Sequence, residues 1–378
     1  MKKILLMMAA AVMLFSCAPA QKKMGTAFFP PLPEQPRLQF LTSITGEEDI
    51  GKSPSALKEW LIGKRPSMKQ IGRANNMGSA KGKIYIADIT HNKILILDLA
   101  KKEFDYINDE GSGSLLQPLG IWVTEDDIKY VADNGRKQIV VFDRENKFLR
   151  TYGEKGQLKG PMGVAVYRNR IYVVDFEEYA VVVIDKDTGK TIQTIGGEGD
   201  LYKPTHIIVD HEGNIYVNDS FDFRIIKFDP EGKRLKIFGY AGDGLGSLAR
   251  PKGIDIDREG HLYIVDAAFE NVQIFDDATT DLILFFGGYG PHQGSMYLPA
   301  GLHIDYDNVE YFNKYADKDF KIKYLVYVGN FLGDKKLNVY GFGEWIGPPL
   351  PEIQRKPLPS AEPEPVKEEK KEENDGKK

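Results

Sequence analysis

The side chains able to do chemistry fall into three groups: one thiol, six imidazoles and a series of repeated carboxylates. Cys17 is the only cysteine in 378 residues, which excludes an intrachain disulfide. The imidazoles are His91, His206, His211, His261, His292 and His303. A zinc centre would need three or four such ligands fixed in one geometry. Asp88, Asp133, Asp175, Asp219 and Asp266 each close a Tyr-(Ile/Val)-x-Asp segment. Five carboxylates could serve a calcium-dependent hydrolase, but a residue repeated so regularly is more simply a cap on the backbone of the loop after its strand. Three of these aspartates are followed by an aromatic beside an acid: Phe176-Glu177-Glu178-Tyr179, Phe221-Asp222-Phe223 and Phe269-Glu270. No Ser/His/Asp arrangement, phosphate-binding glycine loop or Cys/His cluster is legible by spacing.

What positions these groups is a repeat. The tyrosine motif recurs at Tyr85–Asp88, Tyr130–Asp133, Tyr172–Asp175, Tyr216–Asp219, Tyr263–Asp266 and Tyr327–Asn330, in steps of 45, 42, 44, 47 and 64 residues. An apolar run follows each, such as 94–98, 181–185 and 272–276, too continuous for a strand exposed on one face. One full unit is 250–287, with strands expected at Ile254–Asp257, Leu262–Asp266, Val272–Phe275 and Leu282–Phe286. A four-stranded sheet cannot cover its own faces, and radial stacking of six such sheets does so. The expected fold is therefore all-β, a six-bladed propeller over residues 37–346. Blade six has only three strands of its own, so residues 38–45 are expected to supply its fourth and close the ring.

Further details follow from the same frame. Blades two to six open on Pro118-Leu119-Gly120, Pro161-Met162-Gly163, Pro204-Thr205-His206, Pro251-Lys252-Gly253 and Pro299-Ala300-Gly301, with His206 replacing glycine in blade four. Blade one is read as opening on Asn76-Met77-Gly78. His206 and His303 then fall on innermost strands and line the central channel. His211 and His261 sit in turns at the opposite end from His91 and His292, so all six cannot converge. The acidic-aromatic loops at 176–179, 220–224 and 267–270 share one end of the ring and could offer a protein-binding surface. Equally, each Phe could fold inward over its blade. An insertion at 306–323 lengthens the last step and is read chiefly as a brace for ring closure. Ser53–Gly63, with Ser as cap, Pro54 in the first turn and Gly63 at the end, is expected to form a short helix packed on the ring.

The combined pattern Pro-x-Gly-Ile-x-(Val/Ile)-Asp, Gly-x-(Ile/Leu)-Tyr-(Ile/Val)-x-Asp and Val-x-(Ile/Val)-Phe-Asp resembles the NHL repeat. More narrowly, 28–37, 250–257, 265–276, 284–290 and 298–305 resemble bacterial NHL lipoproteins, often encoded beside multihaem c-type cytochromes. That resemblance implies a protein partner in an exported electron-transfer assembly, with a multihaem cytochrome as the candidate. The chain has no Cys-x-x-Cys-His for attaching haem itself, and no cofactor is expected. NHL-type propellers also include zinc-dependent amidoglycolate lyases, and lactonase-like hydrolases share the six-bladed plan. A channel enzyme of either kind is the alternative to a non-catalytic scaffold.

The termini carry the expectations about compartment. Met1–Ser16 has a basic start and an apolar stretch too short to span a membrane, and Leu14–Cys17 resembles a lipobox. The resemblance implies cleavage before Cys17 and acylation there, an anchor in the lipid bilayer, and, with Ala18 following, the outer membrane. Residues 17–36 read as a Pro-rich tether. Residues 347–378, rich in proline and mixed charge and without aromatics, read as a disordered tail. Without residues 1–16, 48 basic groups face 55 acidic ones, which argues against a nucleic-acid partner.

Overall fold

A computed structural model describes residues 27–51, 69–107, 111–197 and 199–352. The leader with Cys17, the Ser53–Gly63 segment and residues 353–378 lie outside the described residues. Six antiparallel sheets form the propeller, five of four strands and one of five. The innermost strands are Ala74–Ala80, Pro118–Val123, Pro161–Tyr167, Pro204–Val209, Pro251–Ile256 and Pro299–Asp305.

Burial explains the composition of each strand. Second and third strands such as Arg170–Asp175 and Ala180–Asp185 lie between neighbouring blades and are buried almost throughout. Fourth strands form the circumference and alternate; in Leu282–Gly287, Ile283 and Phe285 face outward while Phe286 is buried. The core is built between blades. Tyr172, Val174 and Val181 of blade three pack with Ile207, Ile215 and Val217 of blade four.

Ring closure follows the expected route and goes one strand further. Leu38–Ile44 pairs antiparallel with Leu337–Trp345 in blade six. Phe28–Phe29 then pairs outside it, Phe28 packing 5.5 Å from Phe320 and 5.8 Å from Trp345 between ring centroids. Part of the segment read as tether is thus a fifth strand, held because its two phenylalanines are buried or half-buried. The 306–323 insertion crosses the seam between blades six and one. Asn308 Oδ1 accepts from Gly82 N at 2.7 Å, its Nδ2 donates to Ala80 O at 3.2 Å, and Gln39 bonds both Tyr315 O and Asp317 N. Phe312, on the short helix Val309–Phe312, is fully buried there.

One opening differs from the sequence reading. Ala74 lies opposite Asp88 and Asn76 opposite Ala87, as Pro118 lies opposite Asp133 and Gly120 opposite Ala132. Blade one therefore opens on Ala74-Asn75-Asn76, two residues earlier than expected, and Asn76 takes the glycine position. Glycine prevails in blades two, three, five and six because adjacent blades meet there. A Cβ on Gly120 would stand 2.7 Å from Met162 O, and one on Gly253 2.5 Å from Ala300 O. Asn76 fits by accepting the Ile121 amide on its Oδ1 at 2.9 Å.

Because strands alternate in direction, the loop after each second strand and the connection to the next blade emerge together, at what we call the loop end. The hairpins after first and third strands define the turn end. The repeated aspartates sit at the loop end, fully buried. Asp175 accepts four amides: Lys159 at 2.7 Å, Gly160 at 2.8 Å, and Glu177 and Glu178 at 3.2 Å. Asp88, Asp133 and Asp266 clamp the same two loops in their own blades. Asp219 holds Tyr202 and Lys203 and meets Arg224, and Asn330 serves blade six.

Removing such a clamp orphans several buried amides at once. Asp175→Ala is expected to cost about 3 kcal/mol in a denaturant titration, and Asp175→Asn, which keeps one acceptor, less.

Candidate functional site

Two places bring chemically capable residues together: the wall of the central channel and the loop end. The channel holds a cavity of about 130 Å³ lined by the aliphatic and aromatic side chains of Met77, Ile121, Trp122, Ile207, Ile254 and Leu302 together with the polar Asn76, Asp255 and His303. It continues into an opening of about 350 Å³ at the turn end, lined by Ser79, Thr124, Glu125, Arg258, His303 and Tyr306.

Both histidines assigned to the channel from sequence lie on innermost strands, yet they serve different neighbours. His206 occupies the glycine position of blade four and is buried. Its Nε2 faces Asn75 O at 3.4 Å and its Nδ1 faces Thr205 Oγ1 at 3.1 Å. Burial, and secondarily the Lys252 ammonium, push its pKa down to about 4. It is a neutral, hydrogen-bonded wall residue at pH 7. His303 instead points Nδ1 at Asp255 Oδ2, 3.2 Å away, and Nε2 at Ser79 Oγ, 2.9 Å away. Asp255 Oδ2 also accepts the Ile304 amide at 2.8 Å.

The remaining histidines are dispersed. His91 meets Asp88 at 2.8 Å at the loop end, and His261 meets Asp257 at 2.7 Å at the turn end. The Asp257 hydrogen bond raises the His261 pKa, partly offset by burial. Among the described residues no three His, Cys, Asp or Glu side chains gather as a metal would require.

At the loop end the three acidic-aromatic segments are brought to one face with different degrees of display. Phe221 is 57% exposed and packs edge-on to Phe176, centroids 6.4 Å apart. Phe176 is half-buried under Lys203, whose Nζ lies 3.9 Å from its ring centroid and 4.5 Å from that of Tyr179. Phe269 is half-buried. Most of the acids are engaged locally: Glu178 with Lys159 at 2.5 Å, Asp222 with Arg224 at 2.7 Å, and Glu270 with the Leu298 amide at 3.2 Å. Glu177 is exposed. The face is therefore more aromatic than acidic.

Sequence reasoning missed residues at both places. On the connections between blades, Tyr202, Tyr240 and Tyr289 are 58%, 64% and 75% exposed, with Leu116 and Leu245 similarly displayed. They lie outside the repeated strands, so the repeat gave no reason to single them out. Ser79 and Asp255 did carry a signal. In strand register Asp255 and His303 correspond to Trp122 and Ile208, and Ser79 to Val123, Val209, Ile256 and Ile304. Polar residues at positions otherwise apolar mark a departure that comparison of the blades could have found.

No family model matches the chain. A stretch of 133 residues, 34% of the chain, is 32% identical to "Protein brain tumor" of Drosophila melanogaster and spans 13% of that protein. Another of 105 residues, 25% of the chain, is 33% identical to the probable peptidyl-alpha-hydroxyglycine alpha-amidating lyase pgal-1 of Caenorhabditis elegans and spans 30% of it. The chain thus aligns with less than a third of either relative's length. Among solved structures, a protein of unknown function from Bacteroides thetaiotaomicron superposes with a TM-score of 0.55 at 15% identity, covering 82% of this chain and 76% of that one. An auxiliary nutrient binding protein from Bacteroides ovatus gives 0.53 at 14% identity, covering 71% and 70%. At these identities the structures establish the fold alone. The protein is a six-bladed β-propeller that resembles NHL-type propellers.

His206 supplies a pH test. Its folded pKa lies below the ordinary 6.5, so the stability tied to its neutral form is full above pH 6.5 and is lost as pH falls toward 4. Between pH 7 and 5, the native protein is expected to lose about 2 kcal/mol more than His206→Gln in parallel denaturant titrations. Equal losses would contradict a buried neutral imidazole.

Proposed function

We propose that the protein is an interaction module whose loop end docks a protein partner in an exported assembly. The observation that carries this reading is the apolar display at that end: Tyr202, Tyr240, Tyr289, Phe221, Leu116 and Leu245 are all at least 57% exposed, and the connections bearing Leu116, Tyr202, Tyr240 and Leu245 are clamped at their blade inlets by the buried Asp133, Asp219 and Asp266. Exposed large apolar side chains gathered on one face mark a binding surface, and aromatic residues dominate the energetics of such surfaces. A rigid backbone beneath them lowers the ordering cost of binding.

Its setting rests on the sequence. Cleavage before Cys17 and acylation there would tether the propeller to a bilayer. A multihaem c-type cytochrome is the partner that the lipoprotein resemblance favours. Docking of this kind makes no demand on the channel.

Two experiments test the proposal. Cys17→Ala should abolish incorporation of an alkyne-palmitate label and move the protein out of the membrane fraction. For docking, tagged protein is crosslinked in native membranes and the captured partner identified, with a haem stain of the eluate. The double variant Phe221→Ser/Tyr240→Ser should reduce capture by about tenfold or more. The control Ile192→Ser/Leu235→Ser changes equally apolar side chains on the circumference and should leave capture intact. Equal effects of the two variants would place the partner elsewhere.

A further inference from the structure

The channel holds a second, independent feature. Ser79, His303 and Asp255 come from the innermost strands of blades one, six and five, which are consecutive around the axis once the ring has closed. Asp255 Oδ2 lies 3.2 Å from His303 Nδ1, and His303 Nε2 lies 2.9 Å from Ser79 Oγ. An ionised Asp255 selects the tautomer with the proton on Nδ1, which leaves Nε2 free to accept the serine proton. The arrangement is held from all sides. The Ile304 amide fixes Asp255 Oδ2 at 2.8 Å, and the His303 ring lies nearly parallel to Tyr327, centroids 6.3 Å apart. None of the three is sealed off: Ser79 and His303 line the opening at the turn end, and His303 and Asp255 line the channel above it.

We propose that Ser79 is a nucleophile for short-chain carboxylic esters, with His303 as its general base and Asp255 as the residue that orients His303. A small acyl group suits the aliphatic part of the 130 Å³ channel formed by Ile207, Ile254 and Leu302, and the polar opening bearing Arg258, Glu125 and Thr124 suits the alcohol portion. The chemistry balances with water as the only co-reactant. Ser79 Oγ bonds to the acyl carbon while its proton passes to His303 Nε2. The acyl carbon–alkoxy bond breaks, and His303 returns that proton to the leaving alkoxide. Water, deprotonated by His303, then attacks the acyl-serine, releasing the carboxylic acid and restoring the Ser79 hydroxyl. This activity lies at the turn end, opposite the docking face, and does not depend on the docking proposal.

The test treats purified full-length protein with an alkyl fluorophosphonate, which phosphonylates activated serines, and follows hydrolysis of p-nitrophenyl butyrate. A single adduct is expected, located on Ser79 by peptide mass spectrometry and absent in Ser79→Ala. His303→Gln and Asp255→Asn should each slow both labelling and hydrolysis by at least about 100-fold. Thermal unfolding of each variant shows that the fold is kept, and Asp255→Asn, the most conservative in shape, serves if His303→Gln does not fold. No adduct on Ser79, or an adduct formed equally fast in a folded Asp255→Asn variant, would show that the three groups only brace the channel wall.

Discussion

The structure depends on a buried carboxylate at the end of the second strand in five of its six blades. Asp88, Asp133, Asp175, Asp219 and Asp266 are completely withdrawn from water. An unpaired charge there would be prohibitively costly, so the fold is admissible only if surrounding amides accept the role of solvent. The two loops at that end curl inward to supply them. Asp88, Asp133, Asp175 and Asp266 thereby join a blade's inlet to the loop after its second strand and fix both, while Asp219 holds its inlet and meets Arg224. Blade six uses Asn330, which accepts from Tyr297 and donates to Lys335, matching a loop with a spare carbonyl.

The tyrosine three residues earlier secures the other end and acts mainly between blades. Tyr85 donates to Asp127 of blade two at 2.8 Å, and Tyr216 to Asp277 of blade five at 2.9 Å. Tyr263 meets Tyr324 of blade six at 2.8 Å, and Tyr324 donates to Asp257 at 2.6 Å. Burial first holds the Tyr85, Tyr216 and Tyr324 hydroxyls far above their ordinary pKa, followed by Asp127 for Tyr85, by Asp277 and Asp210 for Tyr216, and by Tyr263 and then Asp257 for Tyr324. The four-residue motif thus closes the blades at one end and, through Tyr85, Tyr216 and Tyr263, links three of them to a neighbour at the other, whereas Tyr327 bonds Asp305 of its own blade. Function is left to side chains that the motif does not use.

This division explains what could be read from sequence. Blade number, the approximate strand positions and closure by 38–45 were legible because the clamp and the apolar runs recur six times, although the first strand of the 250–287 unit begins at Pro251, three residues before the expected Ile254. The capping role of Asp175 and its equivalents was legible for the same reason. Blade one's opening was misplaced because Asn76 performs by hydrogen bonding what glycine performs by absence of a side chain, and Gly78 two residues on drew the alignment. Phe28–Phe29 was assigned to a tether because two residues between prolines show no periodicity. Tyr202, Tyr240 and Tyr289 lie on connections of unequal length, where the repeat sets no position. The Ser79, His303 and Asp255 contacts join strands more than 200 residues apart for the first pair, and only ring closure brings them together.

Docking through the loop end is the central functional claim, and the positions of crosslinks on the propeller test it most directly. Amine-reactive crosslinking in native membranes, read by peptide mass spectrometry, would locate the partner. The account predicts links from Lys159 and Lys203, beside the aromatic face, and few from Lys101, Lys147 or Lys233 at the turn end. The reverse distribution would contradict it.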